Sequence, residues 1–256
     1  METEVAYLYR EDQIMMKIAL VFALLCLLGF PSKAAEAAPR GYLTTPAELQ
    51  EIKKLADARY QPYNNAVRSM IVYGYTMLPK KWAVPAVYYW KDNKSTSEPP
   101  WMTEMSTAAY GLSLAYILQK EAAFAEKARQ LILAIQEVEN LNGDYQRQAM
   151  LNVSIHIPKF IYAADLLEDW DGWSLADKRA FQEWIAGVAY PVARRGLDES
   201  GGNWHAWATS AVLVMADYCW DRPDLVFKSE NAALDEKLTA AQAWELARRE
   251  FFAQAG

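Results

Sequence analysis

The sequence predicts an all-α protein, and three of its features support this fold class. No stretch shows sustained alternation of apolar and polar residues with turns at strand spacing. Apolar residues instead recur at helical spacing from about residue 46 to residue 253. Short polar, glycine or proline breaks divide this region into about eight helices, a pattern typical of successive antiparallel hairpins. A bundle, a helical solenoid and an α/α toroid all satisfy this pattern.

The first 37 residues are predicted to be a signal peptide. Lys17 precedes an apolar run of 13 residues, Ile18 to Phe30, and Ala35-Glu36-Ala37 supplies a small-x-small cleavage site. Residues 1–14 are too acidic for the start of such a signal, so we expect the true start at Met15 or Met16. Because a membrane span needs about 20 apolar residues, we expect a periplasmic or secreted protein without a stable membrane anchor.

Residues 38–256 are predicted to form one domain that is stabilised by packing. Only Cys219 remains in this range, so no internal disulfide is expected. The full chain has a net charge of −6, of which the leader contributes −2, and no Lys/Arg run is present. This composition argues against a nucleic-acid partner, and an anionic substrate would need a local basic site.

The first helices are predicted from their start signals. Thr45-Pro46-Ala47-Glu48 is a capping box with proline at the first helical position, which predicts a helix to about Arg59. A second helix is expected over residues 63–75. The proline- and tryptophan-rich residues 79–102 predict a long loop, a type of segment that is usually functional or disordered. Its aromatic residues are Trp82, Tyr88, Tyr89, Trp90 and Trp101.

The remaining helices follow the apolar periodicity and the breaks between them. Pro158 is expected either to kink its helix or to open a new one, and Ser174 to Asp177 is a capping signal. The predicted helices cover residues 107–119, 122–139, 146–169, 175 to about 196, 203 to about 220, and 232–253.

A polar cluster opens the helix that follows Gly201-Gly202. Asn203 and Trp207 are four residues apart and share a helical face, whereas His205 points elsewhere. Asn203 could simply cap the helix. A cap does not explain a histidine and two tryptophans, Trp204 and Trp207, at the start of an otherwise apolar helix, so we interpret the cluster as functional.

A second polar set has the spacing i, i+4 and i+8 on one helix: Gln148, Asn152 and His156. Uncharged amides with a histidine suit hydrogen bonding to a ligand in a cleft, and a buried structural histidine is the equally weighted alternative. The chain contains only two histidines, too few with one cysteine for a closed zinc site. We therefore expect no metal and no cofactor.

The aromatic content is high, with ten Trp and fifteen Tyr in the full chain. Most of these rings are expected in the core, but flat rings also stack on pyranoses, and Trp101 and Tyr110 are two further candidates for sugar contact. Four acids follow the second polar set. They could include a glycosidase pair, but a solvated helix end is the favoured interpretation: Asp165, Glu168, Asp169 and Asp171.

The segment Gly202-Asn203-Trp204-His205-Ala206-Trp207, with Tyr218-Cys219-Trp220-Asp221 after it, resembles the asparagine-centred motif of the alginate-lyase domain family. Residues 155–167 and 108–134 resemble the preceding family helices, and the likeness covers roughly residues 45–256. The resemblance implies an incomplete or short (α/α) toroid of antiparallel hairpins and β-elimination of an anionic uronate polysaccharide.

In that chemistry a donor neutralises the substrate carboxylate as charge develops, and a base removes the neighbouring C5 proton. On the resemblance, Asn203 would be the neutraliser, and His205 or His156 would assist or act as base. Trp204, Trp207, Gln148, Asn152, Trp101 and Tyr110 would bind substrate.

Two departures from the family pattern are visible. The family histidine directly follows the asparagine, where this chain has Trp204. A family arginine and tyrosine follow one helix later, and no matching segment follows residues 238–253. We therefore expect a C-terminally truncated site with impaired activity. A glycoside hydrolase on a related toroid and a non-catalytic carbohydrate-binding protein are the alternative functions.

Overall fold

A computed structural model of the protein describes residues 40–86, 100–141, 146–230 and 237–255. These residues are mostly helical, which confirms the predicted fold class, and consecutive helices pack as antiparallel hairpins. The helices are α1 Pro46–Asp57, α2 Tyr63–Met77, α3 Pro100–Gln119, α4 Ala122–Ile135, α5 Gln146–Leu166, α6 Leu175–Trp184, α7 Tyr190–Glu199, α8 Gly202–Tyr218 and α9 Ala240–Ala255. A π-helical turn, Ile185–Ala189, joins α6 to α7, so the described residues contain eight separate helices. Two short strands, β1 Phe227–Lys228 and β2 Lys237–Leu238, pair antiparallel.

Capping boxes set the start of three helices. The Thr45 hydroxyl accepts from the Glu48 N–H at 3.2 Å, and the Glu48 carboxylate accepts from the Thr45 N–H at 2.7 Å. Ser174 and Asp177 form the same pair at the start of α6. The helix expected from residue 232 begins instead at Ala240, because residues 237–238 form β2 and Thr239 caps α9 through Gln242.

The start of the third helix also differs from the prediction. The third helix begins at Pro100, so Trp101 belongs to α3 and not to the preceding loop. Tyr88, Tyr89 and Trp90 lie outside the described residues. Pro158 lies inside α5 without opening a second helix.

Helices α3, α5 and α8 run in the same direction. Thr103, near the start of α3, contacts His156 of α5, and Ser113 further along α3 donates to the Ala163 carbonyl at 3.1 Å. Residues later in α3 therefore contact residues later in α5, which means that the two helices are parallel. Tyr218, the last residue of α8, donates to Glu168, just past the end of α5, at 3.2 Å. The three first turns consequently point to one side of the domain, and the three last turns point to the other.

The returning helices pack in the opposite direction around a buried apolar core. Trp184 of α6 donates to the Val138 carbonyl at 2.8 Å, just past α4, and α9 lies along α8. Gly196 allows α7 to approach α8 closely, since a Cβ there would lie 2.5 Å from the Ala208 methyl. Cys219 is a buried free thiol. None of the described helices has both the length and the apolarity needed to cross a membrane.

Candidate functional site

The first turn of α8 presents the asparagine–tryptophan cluster. Gly201 is the N-cap, and Gly202 adopts a φ of +61°, a left-handed conformation that favours glycine. Asn203 follows and is exposed, while Trp204 and Trp207 are half-buried. Because the backbone N–H groups of a first turn have no partner within the helix, this end attracts anions. The exposed amide and the helix end can therefore act on the same negative group.

His205 lies on the other side of the same turn. It is only 3% exposed and faces α9. Its Nδ1 lies 3.3 Å from the Thr209 hydroxyl, and its Nε2 lies 3.7 Å from the Glu250 carboxylate. Asn203 and His205 thus occupy one turn but point in different directions, one to solvent and one into the α8–α9 interface.

The polar stripe of α5 is buried and does not face solvent. Gln148 and Asn152 are joined by a hydrogen bond of 3.1 Å, and neither they nor His156 is more than 8% exposed. His156 packs against α3, where its Nε2 lies 3.3 Å from the Thr103 hydroxyl and its Nδ1 3.5 Å from the Ser106 hydroxyl. The three residues share a face as predicted.

The hydroxyl groups around His156 determine what its ring can do. Ser106 donates its proton to the Thr103 carbonyl at 3.1 Å, so only a lone pair remains for His156 Nδ1. Nδ1 then carries a proton toward Ser106, and Nε2 lies beside Thr103. A buried ring between two hydroxyls is typical of a structural core histidine.

The two remaining candidates for sugar contact lie at different depths along α3. Trp101 is half-buried in the first turn. Tyr110 lies more than two turns further on, in edge contact with Tyr162 at 5.9 Å between ring centroids. Burial and then the nearby Asp165 raise the pKa of Tyr110 to about 12. Tyr110 therefore belongs to the surroundings of the last turns and not to those of Asn203.

The acidic residues after α5 are engaged in structure, and the expectation of a solvated cluster was wrong for two of them. Asp165 is 2% exposed and accepts from the backbone N–H groups of Arg40 at 2.6 Å and Gly41 at 2.8 Å. Burial raises its pKa to about 6, although these hydrogen bonds oppose the rise. Glu168 is buried in an ion pair with Lys178 at 3.0 Å. Asp169 and Asp171 are exposed.

A second carboxylate binds the same N-terminal segment. Asp217, in the last turn of α8, accepts from Arg40 Nη1 at 2.6 Å and from the Tyr42 hydroxyl at 2.7 Å. We call this arrangement the N-terminal clamp: the segment Arg40–Tyr42 held by Asp165 and Asp217. Sequence reasoning missed the clamp and also missed Glu250, since each pairing joins residues that are distant in the chain.

The described part of the chain contains no group of three or more His, Cys, Asp or Glu side chains that could hold a metal ion. The candidate side chains are amides, imidazoles and tryptophans, and they lie on parallel helices that are connected by antiparallel ones. This combination defines a helical protein whose exposed polar cluster suits a neutral-donor site for an anionic ligand.

The family follows from comparison with known proteins. The sequence profile described as Alginate lyase matches residues 42–249, and the chain belongs to this family. The match includes the α5 stripe and the cluster at the start of α8, and it ends one residue before Glu250. Searches of curated proteins and of solved structures gave no significant match.

Proposed function

We propose that this protein is a polysaccharide lyase that cleaves a uronate-containing polymer, such as alginate or a glucuronan-like chain, by β-elimination. The observation that carries the proposal is the exposed Asn203 in the first turn of α8, within a chain of the alginate lyase family. Trp204 and Trp207 lie beside it and are half-buried, so each ring retains some accessible surface. We propose that they contact the sugar rings.

The reaction requires a donor where negative charge develops. When a base removes the C5 proton, the electrons of that bond form the C4–C5 double bond, and the C4–O bond breaks. An acid then protonates the leaving oxygen. Charge accumulates on the uronate carboxylate meanwhile, and the Asn203 amide N–H groups donate to it. The helix dipole at this end of α8 adds to the stabilisation.

Of the two histidines, the geometry favours His205 as the participant. His156 is buried between hydroxyls of α3, whereas His205 lies in the same turn as Asn203 and faces a carboxylate that is 43% exposed. Its ring points into the α8–α9 interface, so His205 would assist neutralisation as a cation behind the first turn and would not itself remove the C5 proton.

We also propose that the N-terminal leader directs this activity outside the cytoplasm. A signal peptide cleaved after Ala37 would deliver the enzyme to the periplasm or the medium, where polysaccharides are encountered. Edman sequencing of the exported protein tests this, and a mature chain that begins at Ala38 is the expected result.

The activity is tested by incubating the purified protein with alginate, polyguluronate, polymannuronate and glucuronan. The expected result is a rise in ultraviolet absorbance from the unsaturated uronate at the new chain end. Reducing ends without this absorbance would replace the proposal with a glycoside hydrolase, although Asp165 and Glu168 are already engaged by the backbone and by Lys178. Binding that survives Asn203→Ala, without turnover, would identify a carbohydrate-binding protein.

A further inference from the structure

A carboxylate of α9 faces the ring of His205. Glu250 projects from α9 toward α8, and its Oε2 lies 3.7 Å from His205 Nε2. The His205 ring is almost fully buried, whereas the Glu250 carboxylate is 43% exposed. A buried imidazole is thus in electrostatic contact with an acid that reaches solvent.

Thr209 fixes the other edge of the same ring. Its hydroxyl donates to the His205 carbonyl at 2.8 Å, one turn back on α8. Since a hydroxyl has one proton, only a lone pair remains for His205 Nδ1, which lies 3.3 Å away. Neutral His205 therefore carries its proton on Nδ1, and its Nε2 faces Glu250.

The geometry points to Glu250 as a positioning residue for His205. Thr209 accepts the Nδ1 proton, and Glu250 attracts the Nε2 edge when Nε2 is also protonated, which fixes the rotation of the ring about its side-chain bonds. A charged group that neighbouring side chains hold in a fixed orientation is a recurring arrangement in catalysis. The inference rests on the proposed lyase function, and it assigns to α9 a role that the asparagine–tryptophan cluster does not reveal.

The test combines kinetics and NMR on the full chain with Glu250→Gln, which keeps the size of the side chain and removes its charge. A mispositioned ring lowers the rate of the chemical step, so kcat should fall up to about 10²-fold with KM nearly unchanged. Glu245→Gln is the matched control, because Glu245 lies on the same helix and pairs with Arg248. It should leave kcat unaltered.

The ring itself is followed by ¹⁵N NMR, which distinguishes the two tautomers. The chain contains only two histidines, and the signals lost in His205→Gln identify that residue. We expect the Nδ1–H form in the wild type and a displaced Nε2 signal in Glu250→Gln. An Nε2–H form in the wild type, or ring signals unaffected by Glu250→Gln, would overturn the positioning role. An inactive wild type would instead overturn the lyase proposal, whereas the NMR result would still decide whether Glu250 positions the His205 ring.

Discussion

The two ends of α8 differ in what holds their polar groups. At the first turn, Asn203 is exposed and the backbone N–H groups of that turn are directed outward. At the last turn, Asp217 is bound by Arg40 and Tyr42 of the N-terminal clamp. One end is accessible to a ligand from solution, and the other end is occupied by the chain's own N-terminal segment.

Helix electrostatics explains this difference. The first turn carries partial positive charge and suits a substrate carboxylate, whereas an aspartate at the last turn is repelled by the partial negative charge there. The Arg40 guanidinium offsets that repulsion, since it bonds Asp217 and also donates to the Asp217 carbonyl. Substitutions in the first turn of α8 are therefore expected to affect activity, and substitutions in the clamp at its last turn are expected to affect stability.

The largest effect is expected from Asn203→Ala. Loss of one donor to a developing negative charge usually lowers the rate by about 10²–10³-fold. Stability should change by less than about 0.5 kcal/mol, because the side chain is exposed. Ultraviolet turnover assays and urea denaturation measure the two quantities. Asn65→Ala, at an exposed asparagine of α2, is the control and should affect neither.

His156→Ala should act on stability instead. It leaves a cavity between α3 and α5 and removes a partner from Thr103 and Ser106, so we expect a loss of about 2–3 kcal/mol in the free energy of unfolding. Turnover per folded molecule should remain. If turnover is abolished while the urea midpoint stays the same, His156 is the functional histidine and the comparison with His205 is wrong.

Asp165→Asn tests the clamp. An amide offers one acceptor oxygen where the carboxylate now receives two N–H groups, so about 2 kcal/mol of stability should be lost. Asp169→Asn changes an exposed neighbour and should cost little. Normal stability of the Asp165 variant in urea denaturation would show that the clamp does not contribute.

The smallest effect is expected in the pH dependence of the stability difference between wild type and Asp165→Asn. Burial raises the pKa of Asp165 from 3.8 to about 6, so the folded chain holds this proton more tightly than the unfolded chain. Its contribution to stability is complete below the unfolded value and declines as the pH rises to about 6. Between pH 5 and pH 6 the stability gap between wild type and Asp165→Asn should narrow by about 1 kcal/mol. A gap that widens would contradict the assigned direction.

Local signals in the sequence predicted much of the helical fold. The Thr45–Glu48 and Ser174–Asp177 boxes place α1 and α6 correctly, because a cap depends on residues three apart. The start of α9 was missed where a similar box, Thr239 with Gln242, was overlooked. The π-helical turn has no comparable local signal.

The candidate site was only partly predictable, for a physical reason. Asn203 and its tryptophans are neighbours in the chain, so one segment displays them. The partner of Asp165 lies 125 residues away, and Glu250 meets His205 only because α9 folds back along α8. Contacts of this kind depend on packing between helices, which no single stretch of sequence encodes.

The clamp also affects where this domain can be cut. The family match begins at residue 42, yet the backbone N–H groups that satisfy Asp165 belong to Arg40 and Gly41. A chain trimmed to the family boundary would keep the Asp165 carboxylate and lose both of its donors, leaving a buried polar group without partners. We therefore expect a domain that starts at Arg40 to be more stable than one trimmed to the family boundary.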